Sequence, residues 1–202
     1  MKLSVQLGNN MSSSCVYFDS NIWYSQMVDD KHTEKAHRLF KDADEKRVTI
    51  IASHLVLLEL FDVIRKRIIE NSQYNGISQN EKNELIRKWE NKRTEVGEKI
   101  SILWKQGNLV VKDPDIKIED YYKTVYRYVL NGFGEIDKKE WCYDCKKPLP
   151  KIKYKYRGVG HWDMQHVVIA KNLEAKQFFT FDRGFSEVKK NDDFKSLEIS
   201  IL

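Results

Sequence analysis

Four carboxylates stand at positions where the chain could lift them onto one surface. Asp19 follows the apolar run Val16-Tyr17-Phe18, and Asp182 follows Phe178-Phe179-Thr180-Phe181. Glu59 closes Leu55-Val56-Leu57-Leu58, and Asp163 sits in Gly160-His161-Trp162-Asp163 ahead of another apolar stretch. The first two end strand-like runs, and the other two are expected in the first turns of apolar helices. In an open parallel sheet the carboxyl ends of the strands and the starts of the following helices share one rim, where ligands bind. Acids gathered there repel one another unless a cation holds them, so the pattern predicts a divalent-metal site. Oxygen donors alone suit hard ions such as Mg²⁺ or Mn²⁺. An ion held this way lowers the pKa of water and clamps a phosphate, which is the chemistry of phosphodiester hydrolysis. Asp19 and Asp163 read as direct ligands, with Glu59 and Asp182 further out. Each acid alone also reads as a surface carboxylate, and Asp163 as a helix cap favoured by the dipole. An acid abutting a fully apolar strand is harder to assign to solvation.

The elements that must position these acids alternate. Val16–Phe18 is strand-like, and residues 34–46 put Ala36, Leu39, Phe40 and Ala43 on one helical face. Val48-Thr49-Ile50-Ile51-Ala52 is β-branched and predicts a second buried strand. Ser53 is placed to cap a helix whose stripe is Val56, Leu57, Leu60, Val63 and Ile64. Ser78 and Glu81 have capping-box spacing before a long helical phase that runs to about Lys105. A third strand is expected at Leu109–Val111, a helix over 119–130, a helix from Trp162, a strand at Phe178–Phe181 and a last one near Leu197–Leu202. Strands alternating with helices predict an α/β fold with a mostly parallel sheet. The expected organisation is a loose leader at 1–14 and one domain over 15–202, with a helical excursion at 70–106 and an insertion at 133–160.

The 202 residues and 41% hydrophobic share are those of a globular chain. No apolar run approaches the ~20 residues of a membrane span, the start lacks a signal-peptide core, and three cysteines without framework spacing fit a reducing compartment. A soluble cytoplasmic protein is expected. The net charge of +5 is concentrated: residues 138–157 hold eight bases against two acids, a net +6, and everything else nets −1. Within that stretch Lys151, Lys153, Lys155 and Arg157 alternate with Tyr154 and Tyr156, downstream of Tyr143. Cations for phosphates and rings for bases suit RNA, although an edge strand with one wet face reads the same way. Arg183 either meets phosphate or pairs with a nearby acid. Cys142 and Cys145 have the spacing of half a zinc site with no second pair, or are two ordinary thiols. His54 and His166 read as structural. His161 and Trp162 read as core or capping residues, with substrate contact as the alternative.

Taken together, Val-Tyr-Phe-Asp19-Ser-Asn, Ser-His-Leu-Val-Leu-Leu-Glu59-Leu, His-Trp-Asp163-Met-Gln-His and Phe-Thr180-Phe-Asp182-Arg-Gly-Phe resemble the PIN-domain nucleases, in the family's order and over most of the chain outside the two excursions. The resemblance implies a three-layer α/β/α fold and a Mg²⁺- or Mn²⁺-dependent ribonuclease. It also implies Asp19, Glu59, Asp163 and Asp182 as the acidic cluster, with Ser20, Asn21 and Thr180 as supporting polar residues. Many members are toxins of the VapC type, paired with a small antitoxin, and others process RNA. This chain is longer than the compact toxins, and its basic insertion is not part of the common pattern. A homodimer is a further expectation. The rival readings are an RNA- or protein-binding module on the same scaffold, and a phosphatase. The latter needs Asp-x-Asp after the first strand, where this chain has Asp19-Ser20-Asn21.

Overall fold

The computed structural model describes residues 14–45, 48–70, 78–117, 125, 160–186 and 188–202. Five strands form one parallel sheet: β1 (Ser14–Phe18), β2 (Val48–Ala52), β3 (Leu109–Val111), β4 (Gln177–Thr180) and β5 (Glu198–Ile201), in the spatial order β3-β2-β1-β4-β5. The helices are α1 (Ser20–Met27), α2 (Thr33–Asp44), α3 (His54–Glu70), α4 (Gln79–Lys105) and α5 (His161–Asn172), and three short 3₁₀ turns separate β4 from β5. The chain begins in the middle of the sheet, builds outward through β2 to β3, then returns to add β4 and β5 on the other side. The winding therefore reverses between β1 and β4, which leaves a crevice at their carboxyl ends.

The alternation of side chains along β1 shows the three layers. Phe18 meets Phe40 of α2 at a ring separation of 5.2 Å, and Trp23 of α1 closes on the same Phe40 at 4.9 Å. The neighbouring residue, Tyr17, points to the opposite face, where it stacks on Phe178 at 5.8 Å and reaches His166 of α5. Period-2 placement of large rings thus joins α1 and α2 on one side to α5 on the other. All of these rings are buried, and truncating one such as Phe40 to alanine is expected to cost about 3–5 kcal/mol.

Local sequence sets the helix ends. Ser78 and Glu81 close the capping box that their spacing predicts. At the other end of α4, Gly107 adopts φ 77, and the amides of Gly107 and Asn108 turn back onto the Trp104 and Leu103 carbonyls. This is the Schellman arrangement, which turns the chain straight into β3. α5 ends the same way with Glu174 at φ 58, where no glycine marks the stop. In the segment expected as an excursion at 70–106, α3 ends at Glu70 and α4 leads into β3. Val96 and Leu103 of α4 are buried against the sheet, while Ile86, nearer its start, is 54% exposed. β1 begins at Ser14, inside the leader expected over 1–14. The helix expected over 119–130 lies outside the described residues except for Val125, which is buried. Of the insertion at 133–160 only Gly160 is described. Among the described residues no helix is long and apolar enough to cross a membrane.

Candidate active site

Asp19 lies at the reversal point between β1 and β4 and is 3% exposed. Its backbone amide donates to the Phe179 carbonyl at 3.0 Å, which continues the β1–β4 ladder by one residue. Its side chain is held on both oxygens. Oδ1 accepts the Ser20 amide at 2.8 Å, and Oδ2 accepts the Asn21 side-chain amide and the Thr180 hydroxyl, each at 2.8 Å. Thr180 is fully engaged in turn: its Oγ1 accepts the Asn21 side chain and the Asp182 amide, both at 3.0 Å, while its proton goes to Asp19. Asn21 Oδ1 accepts the Phe181 amide at 3.2 Å, which fixes the orientation of that amide group. Ser20, Asn21 and Thr180 are thus all in contact with the first acid, and Asp182 is one turn of chain away. The Asp182 carboxylate accepts the Gly184 amide at 2.7 Å.

The other two acids arrive from helices. Asp163, in the first turn of α5, accepts the Gly160 amide on Oδ2 at 2.9 Å, so it does serve as a cap, and Oδ1 is left for other chemistry. Glu59 sits one turn deeper in α3 than expected, on a stretch whose start is fixed twice. Ser53 Oγ accepts the Val56 amide at 3.2 Å, and Asp113 Oδ1 accepts the His54 amide at 2.9 Å. Burial pushes the Asp19 carboxyl up to about 6 against the pull of His166 and Thr180, and the Asp163 and Glu59 charges add to the rise. Burial also raises Asp163 above the usual range despite the Gly160 amide, with Asp182 and Glu59 adding to it. Asp19 thus feels the Asp163 and Glu59 charges, and Asp163 those of Asp182 and Glu59, which puts these side chains in one electrostatic neighbourhood.

His166 is the residue that sequence reasoning missed. It is 1% exposed, and its Nε2 bonds Glu59 while Nδ1 lies 3.1 Å from the Tyr17 hydroxyl, which lies 2.8 Å from Ser53 Oγ. Burial alone would lower its pKa, but the Glu59 hydrogen bond and then the Asp19, Glu59 and Asp163 charges outweigh that and hold it above the usual histidine value. Burial would raise Glu59, but the His166 bond and charge, a Ser20 hydrogen bond and Lys66 leave it below its ordinary value. A doubly protonated ring gives one consistent set of donors: Nε2–H to Glu59, Nδ1–H to Tyr17, and Tyr17 O–H to Ser53. A ring protonated only on Nε2, with the Tyr17 hydroxyl donating to Nδ1 and the Ser53 hydroxyl to Tyr17, satisfies the same contacts. The available signal was spacing, since Asp163 and His166 are i,i+3 neighbours on one helix face.

Two other sequence readings change. Trp162, expected as core or cap, is 65% exposed. His54 faces solvent and pairs with Asp113 at 2.7 Å. Arg183 is exposed at the head of the first 3₁₀ turn. Lys151, Lys153, Lys155, Arg157, Cys142 and Cys145 lie outside the described residues. Among the described residues, no three acids, histidines or cysteines close into a ready-made metal cage. The donors at the rim are carboxylate oxygens; burial raises the pKa of Asp19 and Asp163, while Glu59 stays below its ordinary value despite its burial. That set fits a hard ion carried largely on its own waters, as Mg²⁺ usually is, and does not fit a closed structural site.

No protein-family model matches the chain, and no curated protein matches it. Solved structures do, among them the following two. VapC20 of Mycobacterium tuberculosis, a sarcin-ricin loop cleaving toxin, is 13% identical, with 86% of this chain and 94% of that one covered and a TM-score of 0.48. VapBC2 from Rickettsia felis, bound to a DNA fragment from its promoter, is 16% identical, with coverage of 93% and 98% and a TM-score of 0.48. In fold the chain is similar to these VapC-type proteins. At such identity the likeness is one of fold alone.

Proposed function

We propose that this chain is a metal-dependent ribonuclease that hydrolyses RNA phosphodiester bonds at the rim between β1 and β4. The observation that carries the reading is Asp19: a carboxylate almost completely removed from water, held on both oxygens, with its pKa raised chiefly by that burial and further by the Asp163 and Glu59 charges. A fold that needed only a cap there would not gather more negative charge around it. Asp19 and Asp163 would hold the ion, and Glu59 and Asp182 would flank it. A bound Mg²⁺ or Mn²⁺ supplies an activated water and neutralises charge on the phosphate. The chain's own residues supply position. Ser20, Asn21 and Thr180 lock the Asp19 carboxylate, the Gly160 amide fixes Asp163 through one of its oxygens, and His166 holds Glu59 against the repulsion of its neighbours.

Purified protein is incubated with mixed RNA in Mn²⁺ or EDTA, beside Asp19→Asn and Asp163→Asn. Cleavage is expected only with the ion, and only in the wild type. Cleavage that persists in both variants sinks the site, and no cleavage with any divalent ion favours the binding-module reading. The narrower assignment to a toxin with a small antitoxin rests on the sequence resemblance. Co-expression with a small neighbouring gene product that relieves growth arrest would support it, and no arrest on expressing the wild type alone would remove it.

A further inference from the structure

Two clefts flank the acids and meet along α3. The first, about 360 Å³, opens between α3 and the start of α5 and includes Glu59, Leu58, Lys66 and Trp162 in its walls. Trp162 is 65% exposed and Leu58 67%, so two large apolar side chains stand in solvent on its lip, one next to Asp163 in the chain and one next to Glu59. The second cleft, about 310 Å³, opens beside Asp182 and includes Arg67 and Phe181 in its walls. The Phe181 ring lies flat on His32, with centroids 4.2 Å apart and planes 12° apart. Val63 lines both clefts, with Glu59 in the wall of the first and Asp182, beside Ser20 and Asn21, in the wall of the second.

Each cleft offers a flat ring and a cation. A tryptophan placed for stability would be buried. This one stays outside the core cluster and is 65% exposed on the lip of the cleft that holds Glu59. Lys66 pairs with Asp62 at 2.6 Å, but both partners are largely in solvent, and such a pair is worth little and yields readily to a phosphate. Ring for base and cation for phosphate is how single strands are bound without regard to sequence. We infer that the two clefts are nucleobase subsites on either side of the bond to be cut. One base stacks on Trp162 and the next enters the cleft walled by Phe181 and His32. The phosphate between them then falls beside Glu59 and Asp182, the acids in the two cleft walls. This inference rests on the nuclease reading, and it assigns to Trp162 and His32 the choice of how the strand is held.

The test is a titration of the full chain with a fluorescein-labelled single-stranded RNA hexamer in EDTA, and with the same hexamer annealed to its complement. Trp162→Ala is expected to weaken single-strand binding about tenfold, the loss of one base stack. Under cleaving conditions it should raise KM and leave kcat near the wild-type value, and Trp162→Phe should restore most of the affinity. His32→Ala should weaken binding severalfold, and the two losses should add, because the bases occupy different clefts. The duplex, whose base faces are covered, should bind weakly to every form. Trp162→Ala binding like wild type, or a duplex bound as tightly as the single strand, overturns the inference. Its failure is separable from that of the active site: Asp19→Asn is read by cleavage and Trp162→Ala by binding without metal.

Discussion

The rim of the sheet carries two acid–histidine pairs, and they behave as different objects. His54 and Asp113 meet at 2.7 Å with side chains 69% and 54% exposed. His166 and Glu59 meet with the histidine 1% exposed and the glutamate 29%. The residue types match, and both pairs join a helix to a neighbouring element near the carboxyl ends of the strands. Water screens the first pair, whose main service is the Asp113 oxygen that caps α3. The second is shielded by Tyr17 and the sheet, so its charges act on Asp19 and Asp163 as well as on each other. Burial, not residue type, separates a cap from a working part of a site.

The sharpest way to break this contrast is His166→Gln. It removes the buried ring that bonds both Glu59 and Tyr17 and leaves them to find new partners. Catalytic activity is expected to fall about 10–100-fold, as for other groups that orient metal ligands, with stability lower by about 1–3 kcal/mol. A kinetic assay with a urea melt reads both, and an unchanged kcat would return His166 to a structural role.

A smaller effect is expected from pH. An acid whose folded pKa is raised, as Asp19 is from 3.8 to about 6, binds its proton more readily when folded, so its contribution declines as pH climbs through that interval. A histidine held above 6.5 stabilises fully below that value and loses its contribution as pH rises through the folded pKa. Both shifts run the same way. Glu59, lowered from 4.5, acts oppositely and only at lower pH, where its contribution is lost as pH falls. In EDTA, Tm should therefore fall between about pH 5 and pH 8. Mn²⁺ should raise it, and should do so more at the higher pH. A Tm that is flat across this range, with no response to Mn²⁺, would mean that the acids are not coupled.

Asp113→Ala tests the exposed pair. It should cost about 1 kcal/mol through the lost α3 cap and leave cleavage intact. His54→Ala should change stability by less than about 0.5 kcal/mol. A loss of activity in either variant would put the outer pair inside the site and erase the distinction.

Much of this was legible from the residues. Val16–Phe18 and Phe178–Thr180 are too apolar for anything but buried strands, so Asp19 and Asp182 had to emerge where those strands end. Ser78 and Glu81 announced a helix start, and Val48–Ala52 a strand. His166 was not legible, because its meaning comes from Glu59, 107 positions earlier on an element that only the folded sheet brings beside it. Trp162 misled for the opposite reason: hydrophobicity predicts burial, and the side chain faces water beside the acids. The left-handed turn at Glu174 carried no glycine to mark it.

The Thr180 hydroxyl has a mechanical meaning. With two amide hydrogens received and one proton given, it joins the end of β1, the first turn of α1 and the chain entering Asp182 at a single oxygen. Asp19 and Asp182 are consequently rivets in one plate. Sliding β4 along β1 would have to break the Thr180–Asp19 bond, so the joint resists any shear that would change the spacing of the two carboxylates. Thr180→Val, equal in shape, cuts the plate at that point.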